Sequence, residues 1–424
     1  MNLLRSFRSI PSRFRSAAGT SVVAPRLFPA TGFTTIPASE KLEEENWPWY
    51  TPESFYPVRI GEVVHSEYQV LYKLGYGTTA TIWMCRDLHH NEYVCMKSMV
   101  CNFPSVDREI KAYETLAKEG KTNTSTGKRY VRQALDHFQL RHGDHNYHFL
   151  VHEPLGVTLD VFLDIAGGRF PMDYVKDFAT DMLRALEFIH SSNVVHADLQ
   201  AKNILLRIED KTVLREGEEE EIKFPSPRKI TGQSAIFAMK ELPGSVHRWI
   251  GLKSVPVLCD FGEARTGKNT YTEFIQPAVY RAPEVFLQLP WNTSVDIWNL
   301  GCMLWRFLSG RHLFSRKKGQ DEQAADKLQL ARMAVLLGRP PEALLADSGP
   351  RALEFFNEDG SAKIDVSAET LESLLASSLE GAKKPVTVEE SEAFLAFIRR
   401  TLAWADQQRP SASELLNDPW ITSS

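Results

Sequence analysis

In the stretch VVHADLQAKNILL, residues 194–206, Asp198 and Asn203 stand five positions apart. An aspartate there can orient and deprotonate an attacking hydroxyl, and the asparagine can hold a divalent metal. Further on, VPVLCDFGEAR places Asp260 at the end of an apolar run, where it would bind Mg²⁺ bridging two phosphates of a nucleotide. Upstream, LGYGTTATIW carries Gly75 and Gly77, and a missing Cβ lets the backbone approach phosphate oxygens. Ala80 stands where a third glycine of G-x-G-x-x-G would fall. Lys97 sits inside the apolar run VCMKSM, where burial is costly without a partner. It would reach the α and β phosphates of ATP and pair with an acid of the next helix, Glu109 first and Glu114 second. Each motif has a plain alternative: a glycine-bearing hairpin, an edge-strand lysine, a loop. Their order and spacing together favour phosphoryl transfer from ATP with Mg²⁺ over coincidence.

The elements that must carry these residues are readable from periodicity. Runs at 68–74, 81–86 and 93–99 are rich in β-formers, broken by glycine and by the polar turn HHNE, and fit a three-strand meander. A helix is expected from Ser105, with Ser105 as its cap and Gly120 near its end. YHFLVHE, residues 147–153, reads as another strand. From Thr158 the period changes to 3.6, with apolar residues at 175, 178, 179, 182, 183, 186 and 189. The glycine loop therefore lies between two strands, which disfavours a dinucleotide site of the strand–loop–helix kind. Residues 207–255, with REGEEEE and KFPSPRK, lack sustained periodicity and are expected as a solvated loop of repelling charges. A docking surface for basic partners is the sharper alternative. Trp298 and Trp305 in SVDIWNLGCMLWRFLSG are expected as core, and Cys259 as a small buried hydrophobe.

The bulk numbers narrow the class. Of 424 residues, 43% are hydrophobic and 24% charged, and the net charge is −5. That balance gives no case for a nucleic-acid partner. Five scattered cysteines argue against a disulfide framework. The twelve histidines show no metal-ligand spacing, and no apolar run is long enough to span a membrane. A soluble intracellular protein, monomeric, is the expectation. The first 38 residues differ. They are rich in Arg and Ser, with no acid before Glu40, and Leu3, Leu4, Phe7 and Ile10 fall near one helical face. That start fits either a mitochondrial presequence or a disordered basic tail, outside the folded domain in both cases.

Over roughly residues 60–422 the chain resembles the eukaryotic protein kinases. The residues that carry the resemblance are LGYG, VCMK, HADLQAKN, CDFG and RAPE. Within that superfamily it is similar to the SR-protein kinases, through IGEVVHSEYQVLYKLGYG, IW after the glycine loop, an insertion between lobes, QPAVYRAPEV, and LLG before a long C-terminal insert. The resemblance implies an α+β, bilobal kinase fold with a small β-rich lobe and a larger helical lobe. It implies an extension at 39–67, an N-lobe at 68–154, and a C-lobe at 155–422 with inserts at about 207–255 and 311–395. It implies ATP with Mg²⁺, Ser/Thr hydroxyls of a protein substrate, in that family Arg/Ser-rich, and a place in the cytoplasm or nucleus. ATP would meet Leu74, Gly75, Tyr76, Gly77, Ile82, Lys97, Glu153 and Leu155. Asp198 would act as base and Asn203 and Asp260 as metal ligands. Glu284 and Arg409 would form a structural ion pair, and Asp296 would anchor the catalytic loop.

The departures are informative. Ala197 stands where the family commonly has Arg, a residue that holds a phosphorylated activation segment, so activity without such a phosphate is expected. Gln200 stands where many kinases carry Lys, and Lys202, just before Asn203, is the candidate replacement cation. Tyrosine kinases carry a cation at that place, yet YRAPE keeps the reading on the Ser/Thr side. Where the family carries docking acids, SGRHLFSRKKG and LQLARMAVLLG are basic, with Arg311, Arg316, Lys317, Lys318 and Arg332. The nearby acids are Asp321, Glu322 and Asp326, which weakens the case for Arg/Ser-rich substrates. The rival readings are a pseudokinase acting as an ATP-binding interaction module and a small-molecule phosphotransferase.

Overall fold

Strands form where the apolar runs are broken by glycine and polar turns. β1 (Val63–Val64) and β2 (Tyr68–Tyr76) are followed by β3 (Ala80–Asp87) and β4 (Glu92–Met99), covering the three expected runs. These ranges come from a computed structural model that describes residues 22–120, 125–232, 234–244, 246–268, 270–316, 319–380 and 384–423. Helix α1 (Pro104–Glu119) begins one residue before the expected start. Proline suits a first turn because its missing N–H has no partner to lose there. Ser105 lies inside the helix and caps nothing; its hydroxyl lacks a hydrogen-bond partner. A strand the sequence reading missed, β5 (Asp136–His142), forms a hairpin with β6 (His145–His152).

The six strands make one antiparallel sheet in the order β1-β2-β3-β4-β6-β5. It curls, because Phe138 of β5 stacks on Tyr68 of β2 at 5.9 Å although the two strands are far apart in the order. Val70, Trp83, Met96, Phe149 and Val151 fill its core.

Two expectations fail on this unit. The segment 22–38 was expected outside the folded domain, yet Val23 N donates to Leu88 O at 2.8 Å and Ile36 N to Arg228 O at 2.9 Å. Gln69 also exchanges hydrogen bonds with the Arg26 backbone at 2.9 and 2.7 Å. What remains of the presequence expectation, residues 1–21, lies outside the described residues. The second failure is the expected loop at 207–255, which is largely ordered.

Before that insertion the chain forms α2 (Leu159–Ile165), α3 (Met172–Ser191), β7 (Val194–Val195) and β8 (Ile204–Leu206). All seven periodic positions of α3 are buried. The insertion itself holds α4 (Thr212–Lys223), the hairpin β9 (Arg228–Thr231) and β10 (Ser234–Phe237), and α5 (Val246–Trp249). Its glutamates do not simply repel, because two of them are buried against partners. Glu218 accepts from Tyr93 at 2.5 Å and faces Arg26 at 3.4 Å, while Glu221 accepts from Ser226 and pairs with Lys240 at 2.8 Å. Gly217 allows the close approach, since a Cβ there would lie 2.3 Å from the Tyr72 hydroxyl. Lys73, fully buried on β2, is paired with Glu44 of the N-terminal extension and donates to Phe237 O at 3.1 Å.

Beyond the insertion, β11 (Pro256–Leu258) pairs with β8, and β12 (Arg265–Thr266) with β7. Helices α6 (Pro283–Phe286), α7 (Ser294–Ser309), α8 (Glu322–Leu337), α9 (Glu342–Ser348), α10 (Leu371–Leu379), α11 (Val388–Thr401), α12 (Ala412–Leu415) and α13 (Pro419–Thr422) complete the chain. Trp298 and Trp305 of α7 are core, as expected. The chain divides into two compact units. One takes residues up to 117, 132–156 and 206–255 and holds the sheet; the other takes 118–131, 157–205 and 256 onward and is helical. The fold is α+β. Among the described residues no helix is long and apolar enough to cross a membrane.

Candidate active site

In the sheet-bearing unit, Lys97 lies mid-strand on β4, flanked by Ile82 of β3 and Leu150 of β6. Its Nζ donates to both carboxylate oxygens of Glu109, at 2.8 and 2.7 Å. Glu109 is buried on α1, whereas Glu114 is exposed. The lysine expected to be costly in an apolar strand therefore has a bidentate counter-ion. The β2–β3 turn carries Gly75 and Gly77, and Gly77 N donates to Ala80 O at 2.8 Å. Neither glycine has a left-handed φ, and nothing lies within 4 Å of where a Cβ would sit. Their small size is thus unexplained by backbone or packing, and the open space above them suits phosphate oxygens. Leu74 and Ile82 are partly buried beside the turn, and Tyr76 is exposed. Leu155 is buried, and the Glu153 carboxylate faces Lys211 at 3.5 Å and Arg207 at 3.7 Å.

In the helical unit, Asp296 at the start of α7 organises the loop. Fully buried, it accepts from the backbone N–H groups of His196 and Ala197, each at 2.9 Å, and lies 2.9 Å from His190 Nε2. Ala197 has φ +63°, a strained value for a residue with a Cβ, and the Asp296 bond holds it there. His196 Nε2 donates to Cys259 O at 3.0 Å, and Cys259 N donates to Asn203 O at 2.8 Å. These bonds tie the loop of Asp198 and Asn203 to the strand that ends at Asp260. Cys259 itself is buried, as expected of a small hydrophobe.

Both oxygens of Asp198 accept from amides: Oδ1 from Gln200 Nε2 at 2.5 Å, Oδ2 from Asn203 Nδ2 at 2.8 Å. Burial holds the Asp198 carboxyl above the usual aspartate value, while His196, the Asn203 bond and Lys202 pull it down and Asp260 pushes it up. Sequence reading treated Gln200 only as a lost cation and missed this contact, which no spacing rule signals. With its Nδ2 engaged, Asn203 is left with an amide oxygen, and Asp260 is exposed at φ +62° with Oδ1 accepting from Gly262 N at 3.3 Å. An all-oxygen donor set of carboxylate and amide fits Mg²⁺, a hard cation. Lys202 is exposed.

The segment from Asp260 to Glu284 is held by backbone and amide contacts together with Arg265, which faces Glu273 at 3.7 Å, and Arg281, which donates to the carbonyls of Ile275 and Gln276. Tyr271 and Trp291 exchange backbone hydrogen bonds at 2.9 and 2.8 Å, and Gly267 N donates to Asn193 O at 3.2 Å. The buried Gln276 amide donates to Asn299 and to Val295 O and accepts from Ala282 N at 2.8 Å. Glu284 and Arg409 form a buried fork with both bonds at 2.6 Å. In the C-terminal insert, Arg316 is paired with Glu322 and Asp326, and Arg332 with Glu369 at 3.3 Å. The basic cluster is thus partly neutralised within the chain, and Lys317 and Lys318 lie outside the described residues.

Comparison with known proteins identifies the family. The protein kinase domain matches residues 68–223 and 250–421, which take in Lys97, Glu109, Asp198, Asn203 and Asp260. The chain is 33% identical to a serine/threonine protein kinase of Aspergillus fumigatus, over 99% of this chain and 98% of that one. It is 27% identical to the serine/threonine-protein kinase SRPK of Physarum polycephalum, over 89% and 91% of the two chains. It is also 29% identical to the dual specificity tyrosine-phosphorylation-regulated kinase 3 of Mus musculus, over 84% of this chain and 54% of that one. A paired lysine on the sheet, an aspartate and asparagine on an anchored loop, and a match that spans most of the sequence lead to one assignment: the chain belongs to the protein kinase family, and within it to the SRPK-like type.

Proposed function

We propose that the chain is an active protein serine/threonine kinase that transfers the γ-phosphoryl group of ATP to protein hydroxyls and needs no phosphate on its activation segment. The observation that carries this is the pairing of Asp198 with Asn203 on a loop held by Asp296. Asp198 takes the role of base, and Lys97, oriented by Glu109, faces the ATP phosphates. Gly75 and Gly77 cover them, and Leu74, Tyr76, Ile82, Glu153 and Leu155 complete the nucleotide contacts. Asn203 and Asp260 would hold Mg²⁺, whose charge would neutralise the phosphates. All five central residues are present, which speaks against a pseudokinase, and the complete Glu284–Arg409 pair speaks against a small-molecule phosphotransferase.

Independence from phosphorylation is supported by the contacts that already hold the segment without a phosphate, the Tyr271–Trp291 backbone bonds, the Gln276 amide and the Arg265–Glu273 pair among them, and by Ala197, which leaves no guanidinium in the loop to receive a phosphate. Phosphatase-treated protein is expected to phosphorylate Ser and Thr on a peptide array at the rate of the untreated protein. Phosphotyrosine as the main product would refute the Ser/Thr reading, and loss of activity on dephosphorylation would refute the other. The array also reads substrate choice. Glu322 and Asp326 already face Arg316, so peptides without Arg/Ser repeats are expected among the best substrates. Cytoplasm and nucleus follow from the resemblance, with mitochondrial import as the second reading from residues 1–21.

Lys202 is proposed as the cation that stands in for the lysine absent at position 200. Lys202→Ala is expected to lower kcat about tenfold or more with little change in KM for ATP, the signature of an interaction made in the transition state. An unchanged kcat in steady-state assays removes Lys202 from the mechanism.

A further inference from the structure

The β1–β2 and β3–β4 turns of the sheet-bearing unit meet at Glu67. It lies between β1 and β2; Asp87 ends β3, and His89 and His90 form the β3–β4 turn. His90 Nδ1 is 2.8 Å from Asp87 Oδ2 and 4.0 Å from Glu67 Oε1, and His89 Nδ1 is 3.8 Å from the same Glu67 oxygen. One ligand atom each from Glu67, Asp87 and His90 lie within 4.8 Å of one another. Tetrahedral bonds of ~2.1 Å put ligand atoms ~3.4 Å apart, so small side-chain rotations close the set. The Asp87 carboxylate is already aimed, because its other oxygen accepts from His89 N and His90 N at 2.9 Å each.

The charge around Glu67 is the second, independent observation. Asp136, at the start of β5, joins His65 and Glu67 in an overlapping trio of the same spacing. Three carboxylates therefore crowd one place. Among the described residues no Lys or Arg pairs with Glu67, Asp87 or Asp136; their side-chain partners are imidazoles and the Tyr68 hydroxyl. A divalent cation is the partner that would relieve this crowding.

We propose that Glu67, Asp87 and His90, with water completing the set, bind a divalent transition metal of zinc type that staples the start of β2 to the β3–β4 turn. An imidazole with two carboxylates suits Zn²⁺ better than Mg²⁺ or Ca²⁺, which prefer oxygen alone. The site is structural and plays no part in phosphoryl transfer. Sequence spacing could not show it, because its ligands come from separate turns.

The test is calorimetric titration of the full chain with ZnCl₂, with MgATP saturating so that Asn203 and Asp260 are engaged. One zinc per chain is expected. Glu67→Gln and His90→Gln should each weaken binding at least about tenfold, with circular dichroism and kinase activity unchanged, and Asp136→Asn should bind as the wild type does. Should Glu67→Gln fail to fold, His90→Gln, which alters an exposed ring, decides alone. Co²⁺ loaded in place of zinc should give a tetrahedral spectrum without thiolate charge transfer. Absence of zinc binding, wild-type affinity in His90→Gln, or a thiolate band from Co²⁺ overturns the proposal, whatever the outcome of the kinase assays.

Discussion

Replacing Asp198 with asparagine is expected to lower kcat about 10²–10⁴-fold, the usual contribution of a positioned general base. That loss corresponds to about 3–5 kcal/mol of transition-state stabilisation. The variant keeps the shape of the side chain but loses an acceptor. Both Asp198 oxygens now accept from amide donors, Gln200 and Asn203, so the new NH₂ group must face one of them donor to donor. A local cost of about 1–3 kcal/mol in stability therefore accompanies the kinetic loss, and a denaturation curve separates the two. The pH dependence supplies a second check. Burial raises the Asp198 carboxyl, so its protonated form, which cannot accept a proton, persists to higher pH than in an ordinary aspartate. Turnover should rise with pH through a limb above the usual aspartate range, and the residual rate of the variant should lack that limb. If the variant kept wild-type turnover, or the same limb, Asp198 would not be the base.

The parts of this fold that were legible in the sequence are those whose causes are local. The strands around Gly75 and Gly77 and the buried stripe of α3 depend on residues within one turn or one pleat, so periodicity finds them. Glu109 was preferred over Glu114, and the buried, bidentate contact supports that order. The failures share the opposite cause. The run REGEEEE reads as repulsion because Tyr93, Arg86 and Lys240 are distant in sequence, yet they surround Glu218 and Glu221 in space. Residues 22–38 read as a tail because their partners, Leu88, Gln69 and Arg228, are equally remote. Gln200 was read from what it lacks, a charge, and its hydrogen bond to Asp198 rests on a loop geometry set by Asp296. The buried Lys73–Glu44 pair went unnoticed for the same reason.

Breaking the Glu284–Arg409 pair is expected to have the largest effect on stability. Arg409→Met should destabilise the helical unit by about 3–5 kcal/mol, the cost of leaving a buried charge without its partner. Arg409 is fully buried, meets both Glu284 oxygens, donates to the carbonyls of Ala403, Trp404 and Ser294, and lies over Trp298. Methionine fills much of the space but returns none of these hydrogen bonds. Salt screens exposed pairs and leaves this one largely untouched, so the loss should persist at high ionic strength. Adding Glu284→Gln removes the stranded charge, and the double variant should recover part of the loss, which measures the coupling between the two side chains. Urea denaturation checks both statements through a lower midpoint at unchanged slope. A midpoint within about 0.5 kcal/mol of the wild type would place the pair with ordinary surface contacts. Because Glu284 closes the segment that begins at Asp260, the single variant should also lose activity on protein substrates before it unfolds, while still binding ATP through the separate Lys97–Glu109 unit.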